Sequence, residues 1–167
     1  MKSRFWPKFW TTAGWLGFSP WAPGTCGTLG GVALAMAVAY YTDVPRIQTM
    51  AMLSLILLFS GVTVLYGEWA EATFGSKDPP QVVSDEVAGF LVALLWLPQV
   101  ATEMLWLKLA TAFLLFRAFD ILKPPPLKQL QRLPGGLGIL VDDLGAGLLA
   151  NGCLQVVLRQ FAVYQGL

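Results

Sequence analysis

The stretch Gln48–Gly67, QTMAMLSLILLFSGVTVLYG, decides the fold. It runs twenty residues without an Asp, Glu, Lys or Arg, the length a helix needs to cross the roughly 30 Å of bilayer hydrocarbon. Its apolar residues form a continuous run and do not alternate, which argues against a strand. Working outward, four more apolar segments stand at Thr28–Tyr41, Val87–Ala101, Met104–Phe119 and Ile139–Phe161. Turn signals separate them: Asp43-Val44-Pro45, Asp78-Pro79-Pro80, Leu97-Pro98 and Lys123-Pro124-Pro125-Pro126. The expectation is an all-α integral membrane bundle of about five apolar helices. Because three of the segments are short, four helices plus a re-entrant piece is the alternative. The chain, residues 1–167, reads as one domain, with residues 1–20 as an interfacial lead-in.

Composition agrees. The chain is 56% hydrophobic and 13% charged, where soluble domains carry about 25% charged residues, and mean hydropathy is +0.61. So little polar surface cannot cover a soluble fold of this size, whereas lipid is itself an apolar solvent. A net charge of +1 gives no basic face for nucleic acid. The absence of histidine excludes His-based triads and His-rich zinc sites. Cys26 and Cys153 lie far apart without CxxC spacing, so neither a disulfide framework nor a zinc site is indicated. The opening MKSRFWPKFW lacks the apolar core of a cleavable signal. It reads as an interfacial segment, with Lys2, Arg4 and Lys8 among aromatic residues.

Threading five spans from a cytoplasmic N-terminus places Lys2, Arg4, Lys8, Lys77, Arg117, Lys123, Lys128 and Arg132 on the cytoplasmic side. Arg46, Lys108 and Arg159 fall on the far side. That asymmetry satisfies the positive-inside rule. The same threading gathers Glu68, Glu71, Asp78, Asp85, Glu86, Asp120, Asp142 and Asp143 on the cytoplasmic face, leaving Asp43 and Glu103 opposite. Acids and bases from separate stretches thus converge at one membrane face, as the parts of a site would.

Three constellations carry chemistry. The first is acidic: Asp78, the pair Asp85-Glu86 and the pair Asp142-Asp143. Each pair begins an apolar segment, where ionisable groups are costly and usually functional. Clustered carboxylates repel one another unless a cation is present, and hard oxygen ligands without Cys or His suit Mg²⁺. The plainer reading of Asp85-Glu86 is a complement to a helix dipole. For Asp142-Asp143 that reading is weaker, because apolar Gly138–Val141 carries them below the surface. Gly138, Asp142, Ala146 and Ala150 recur at i+4, with Asp143, Gly147 and Asn151 alongside. Small residues on those lines let another helix approach closely.

The second constellation is Arg117, Asp120 and Lys123, spaced three apart at a helix end. Two cations beside an acid suit a phosphate, and a surface ion-pair ladder is the other reading. The third is Pro23-Gly24-Thr25-Cys26-Gly27-Thr28, where glycine backbone and a helix start favour an anion. No Walker GKS/T ending follows, and an ordinary glycine-rich helix start explains the stretch as well. Cys26 lacks the CxxxxxR pattern of cysteine phosphatases, since position 32 is Val.

Taken in order, four stretches resemble the phosphatidylglycerophosphatase A family of bacterial inner-membrane lipid phosphatases: SPWAPGTCGT (19–28), VVSDEVAGF (82–90), FRAFDILKP (116–124) and GGLGILVDDLGAG (135–147). The resemblance implies Mg²⁺-dependent removal of the terminal phosphate of phosphatidylglycerophosphate, with the site on the cytoplasmic side of a multi-pass protein. It places the family's acidic motifs on Asp78, Asp85, Glu86, Asp142 and Asp143, its arginine–aspartate–lysine motif on Arg117, Asp120 and Lys123, and its glycine–threonine loop on Gly24, Thr25 and Gly27. Ser84 departs from the family's usual bulkier residue there. Direct attack by water and an aspartyl-phosphate route both fit these residues. A membrane transporter using the acidic cluster for a cation is the competing class, although its acids would belong near the midplane. Sequence carries no signal of oligomeric state.

Overall fold

The computed structural model describes residues 4–97, 104–131 and 133–164, with side chains described to residue 160. Within them the chain is all-helical. Its helices are α1 (Phe5–Thr11), α2 (Pro23–Tyr41), α3 (Pro45–Phe74), α4 (Ser84–Ala93), α5 (Leu105–Leu122), α6 (Leu127–Leu130) and α7 (Gly136–Tyr164), with a 3₁₀ turn at Leu16–Phe18. Each apolar segment of the sequence contributes a helix. Pro98, Glu103, Arg132 and the end of the Val87–Ala101 segment lie outside the described residues.

Three helices are long and apolar enough to cross a membrane: α2, α3 and the part of α7 from Gly136 to Gln160. At 1.5 Å per residue, α2 is roughly 28 Å long, close to one hydrocarbon thickness. Its ends are marked by exposed aromatics, Trp21 on one side and Tyr40 and Tyr41 on the other, as the two aromatic belts of a spanning helix would be. Proline at its first position starts α2 at residue 23. The Gly-Thr stretch therefore forms the helix's first turns, rather than a loop before it. Helix α3, at thirty residues, runs roughly 45 Å and its last turns extend past the site. It ends on Gly75, whose φ of +80° gives the left-handed cap that glycine adopts without strain.

Helix α4 is the exception that organises the rest. Ten residues reach only about 15 Å, too short to span. All of them are buried except Glu86, which is half-buried. It packs against α2, α3, α5 and α7, so protein rather than lipid surrounds it. The arrangement is thus of long helices around a short central one, and α2, α3, α4, α5 and α7 agree with the expected five or so apolar helices. An early stop inside a bilayer leaves carbonyls without partners. Here Asn151 of α7 supplies the donor, its Nδ2 lying 2.7 Å from Leu95 O and 3.0 Å from Ala93 O.

Glycine sets how closely α4 and α7 cross. A Cβ at Gly147 would lie 2.2 Å from Gly89 O, and one at Gly89 would lie 2.6 Å from Asp143 O. Ala146 and Ala150 are fully buried on the same helix. Of the two small-residue lines expected on α7, the one through Asp143, Gly147 and Asn151 faces α4. On the other, Gly138 packs on the backbone of Gln131 and Leu133, and Asp142 meets Lys123.

Candidate active site

Close backbone approach at Gly89 and Gly147 brings the start of α4 against the first turns of α7. Asp85 and Glu86 stand in the first turn of α4, where the free N–H groups and helix dipole favour negative charge. Asp142 and Asp143 stand two turns into α7 and are almost fully buried. The backbone before α4 is pinned from the N-terminal segment, because Val83 N–H donates to Thr11 O at 2.9 Å. Ser84, where the family pattern has something larger, is buried and shares a 2.7 Å hydrogen bond with Thr63 of α3. That pair fixes the residue next to Asp85.

Three carboxylates meet. Oxygens of Asp85, Glu86 and Asp143 lie within 4.8 Å of one another. In each residue one oxygen is buried with no hydrogen-bond partner: Asp85 Oδ1, Glu86 Oε2 and Asp143 Oδ2. Buried oxygens are ordinarily paired, and three carboxylates this close cannot all stay ionised without a cation among them. The donor set is hard oxygen throughout, with no thiolate or imidazole. These residues fit a metal ion.

Asp142 is the neighbour of Asp143 in sequence but does a different job. Its Oδ2 pairs with the ammonium of Lys123, and its Oδ1 is buried without a partner. Lys123 follows α5, in a left-handed cap with φ +42°. Burial alone would push its ammonium down. The hydrogen bond to Asp142, reinforced by the charges of Asp142, Asp143 and Asp78, outweighs that and holds it above its ordinary value. One turn earlier, Arg117 pairs with Asp120 at 2.5 Å, and Asp120 stands beside Asp143. Arg117 Nε is buried and unpartnered. The Arg-Asp-Lys constellation is therefore not a surface ladder: its lysine reaches across to α7.

The first turn of α2 closes the remaining wall. A Cβ at Gly24 would lie 2.5 Å from Glu86 Oε1 and 3.2–3.3 Å from the Arg117 guanidinium. Gly27 instead lets α2 pack on Val83, and Thr25 is half-buried on the same turns. Asp78 stands apart from the three-carboxylate group. It is exposed, and it accepts a 2.8 Å hydrogen bond from Gln131 Nε2 at the rim. Sequence reading did not anticipate Thr63, Gln131 or the capping by Asn151. The amide inside apolar α7 was a usable signal for the last; nothing local marked the other two.

A buried group of carboxylates flanked by a guanidinium and an ammonium, at the end of a lipid-embedded bundle, suits phosphate chemistry on an amphiphile. Comparison with known proteins reaches the same class. Residues 9–158 match the family model described as phosphatidylglycerophosphatase A, so the chain belongs to that family. It is a lipid phosphatase, a phosphoric monoester hydrolase. Phosphatidylglycerophosphatase A of Haemophilus influenzae is 32% identical over 134 residues, covering 77% of this chain and 74% of the relative. The Escherichia coli protein of the same name is 28% identical over 142 residues, covering 84% and 77%. A Bacteroides thetaiotaomicron protein, named provisionally as a phosphatidylinositol-3-phosphatase, is 37% identical over 139 residues, covering 79% and 80%. No solved structure matches the chain significantly.

Proposed function

We propose that the protein hydrolyses phosphatidylglycerophosphate to phosphatidylglycerol and inorganic phosphate, with Mg²⁺ held by Asp85, Glu86 and Asp143. The observation that carries this reading is the set of three buried, unpartnered carboxylate oxygens at one point. Mg²⁺ would supply Lewis acidity toward the phosphoryl oxygens, and hard carboxylate donors suit it better than softer metals. Asp78, expected from the family pattern among the metal ligands, stands at the rim instead and takes no part in that trio.

The chain's own groups divide the remaining work. Arg117, which keeps donors beyond those given to Asp120, grips the phosphate oxygens in a fork. Lys123 adds a point charge that stabilises the transition state. Asp142 Oδ1, with no other partner, accepts the proton of the attacking water and returns it to the glycerol oxygen as the P–O bond breaks, while Lys123 orients the carboxyl through Oδ2. Gly24 lets Glu86 and Arg117 close against the first turn of α2.

The lipid's tail has a place at a consistent depth. An apolar cavity of about 390 Å³ is lined by Trp10, Gly30, Leu34, Phe59 and Val87 among others. It begins six residues below Gly24 on α2, roughly 9 Å deeper. Its lining residue Val87 follows Glu86 in the chain. The site belongs on the cytoplasmic face of the inner membrane, in keeping with the positive-inside count. A transporter would set these acids near the bilayer midplane; here they lie at one end of α2.

The test is phosphate release from phosphatidylglycerophosphate in detergent micelles, with Mg²⁺ or EDTA, for wild type and Asp142→Asn. Release that needs Mg²⁺ and disappears in the folded variant supports the reading. A folded wild type that releases nothing refutes it.

A further inference from the structure

The end of the bundle opposite the acids holds a second polar cavity, of about 320 Å³. It lies between the first turn of α3, the turn after α4 and the first turn of α5. Arg46, Thr49, Met52, Leu95, Trp96 and Lys108 are among its lining residues, and among the described residues no carboxylate is. Its polar groups sort into those already satisfied and those left over. Gln48 Nε2 donates to Thr42 O at 2.7 Å, and Thr49 Oγ1 donates to Pro45 O at 2.9 Å. Among the described residues both ion pairs belong to the acid site, so neither Arg46 nor Lys108 is paired with a described acid. Lys108 is half-buried, and a cation withdrawn from water without a counter-charge is costly.

Depth and lining identify what would neutralise them. Arg46 precedes Thr63, the α3 partner of Ser84 beside the acids, by seventeen residues, which is roughly 26 Å along α3. Trp96 and Trp106 are exposed at this end, as are Tyr40 and Tyr41, which places the cavity at the belt of the other leaflet. Its lining combines the two cations with apolar Met52, Leu94 and Leu95. A soluble anion would use only half of such a surface. Basic pockets between membrane helices suit anionic lipid headgroups.

We propose that this cavity binds the phosphodiester headgroup of an anionic phospholipid from the leaflet opposite the acid cluster. Arg46 and Lys108 contact the phosphate, and the lipid's first methylenes lie on Met52 and Leu95. The site is independent of the phosphatase reaction.

Thermal unfolding of the full chain in a zwitterionic detergent tests it, with added phosphatidylserine, phosphatidylcholine or inorganic phosphate. Phosphatidylserine should raise the midpoint of the wild type by several degrees, and the other two should not. The shift should vanish in Arg46→Gln/Lys108→Gln and persist in Lys108→Arg. Circular dichroism matching wild type establishes that each variant is folded. Should the double variant fail to fold, Arg46→Gln alone, at an exposed position, should lose at least half of the shift. An equal shift with phosphatidylcholine, a shift reproduced by inorganic phosphate, or a shift surviving loss of Arg46 and Lys108 would overturn the proposal.

Discussion

Single atoms decide most of what the site can do. Gly24 has no side chain because Glu86 and Arg117 occupy the space one would fill. Gly24→Ala should therefore cut phosphate release by about tenfold or more, since small displacements of reacting groups are expensive, with little change in unfolding temperature. Asp143→Asn and Asp85→Asn should abolish release in folded protein, whereas Cys26→Ser should keep it. An active Asp143→Asn beside a dead Cys26→Ser would reverse the assignment. Lys123→Gln strands a buried carboxylate, and about 3 kcal/mol of stability should go with it, the low end because Lys123 is partly exposed. Its folded value is raised, so its contribution is whole below the ordinary lysine value of about 10.4 and is lost only as pH climbs past the raised one. The gap in unfolding temperature between wild type and Lys123→Gln should thus be equal at pH 7 and pH 9. The acids of this site were legible in sequence because charge inside apolar runs is rare. The split between Asp142 and Asp143 was not: adjacent helix residues point about 100° apart, and only packing shows which meets Lys123.

At the scale of elements, α4 and its two neighbours carry the design. Asn151→Leu removes the donor from the last carbonyls of α4, and an unsatisfied buried acceptor costs about 1–3 kcal/mol. Thermal unfolding should show that loss. Gly147→Ala drives a Cβ into Gly89 O and should be worse, since backbone cannot yield as a side chain can. Gly61 has nothing within 4 Å of where its Cβ would be, so Gly61→Ala should be neutral or stabilising by up to about 1 kcal/mol. Each apolar run in the sequence supplies a helix within the described residues, because a backbone removed from water must pair its own polar groups. Which of them crosses the membrane was harder to read. Val82–Leu97 is almost as apolar as a span, and its enclosure depends on glycines in α2 and α7 that lie far away in the chain.

For the whole molecule, the distribution of lysine and arginine predicts a cytoplasmic acid face. Single-cysteine proteins, with Cys26 and Cys153 replaced, should show Arg46→Cys modified by an impermeant thiol reagent on intact cells. Lys77→Cys should react only after lysis; the reverse pattern would invert the topology. The enclosure of α4 also bears on how the chain is made. A ten-residue apolar piece is too short to be handed to the bilayer as a span of its own, and two of the four helices that enclose it, α5 and α7, are synthesised after it. The nascent protein must therefore hold its Asp85-Glu86 turn at the water boundary while the later helices are inserted. The group of Asp85, Glu86 and Asp143 is complete only on arrival of α7, so an unfinished chain carries no assembled carboxylate cluster into the membrane.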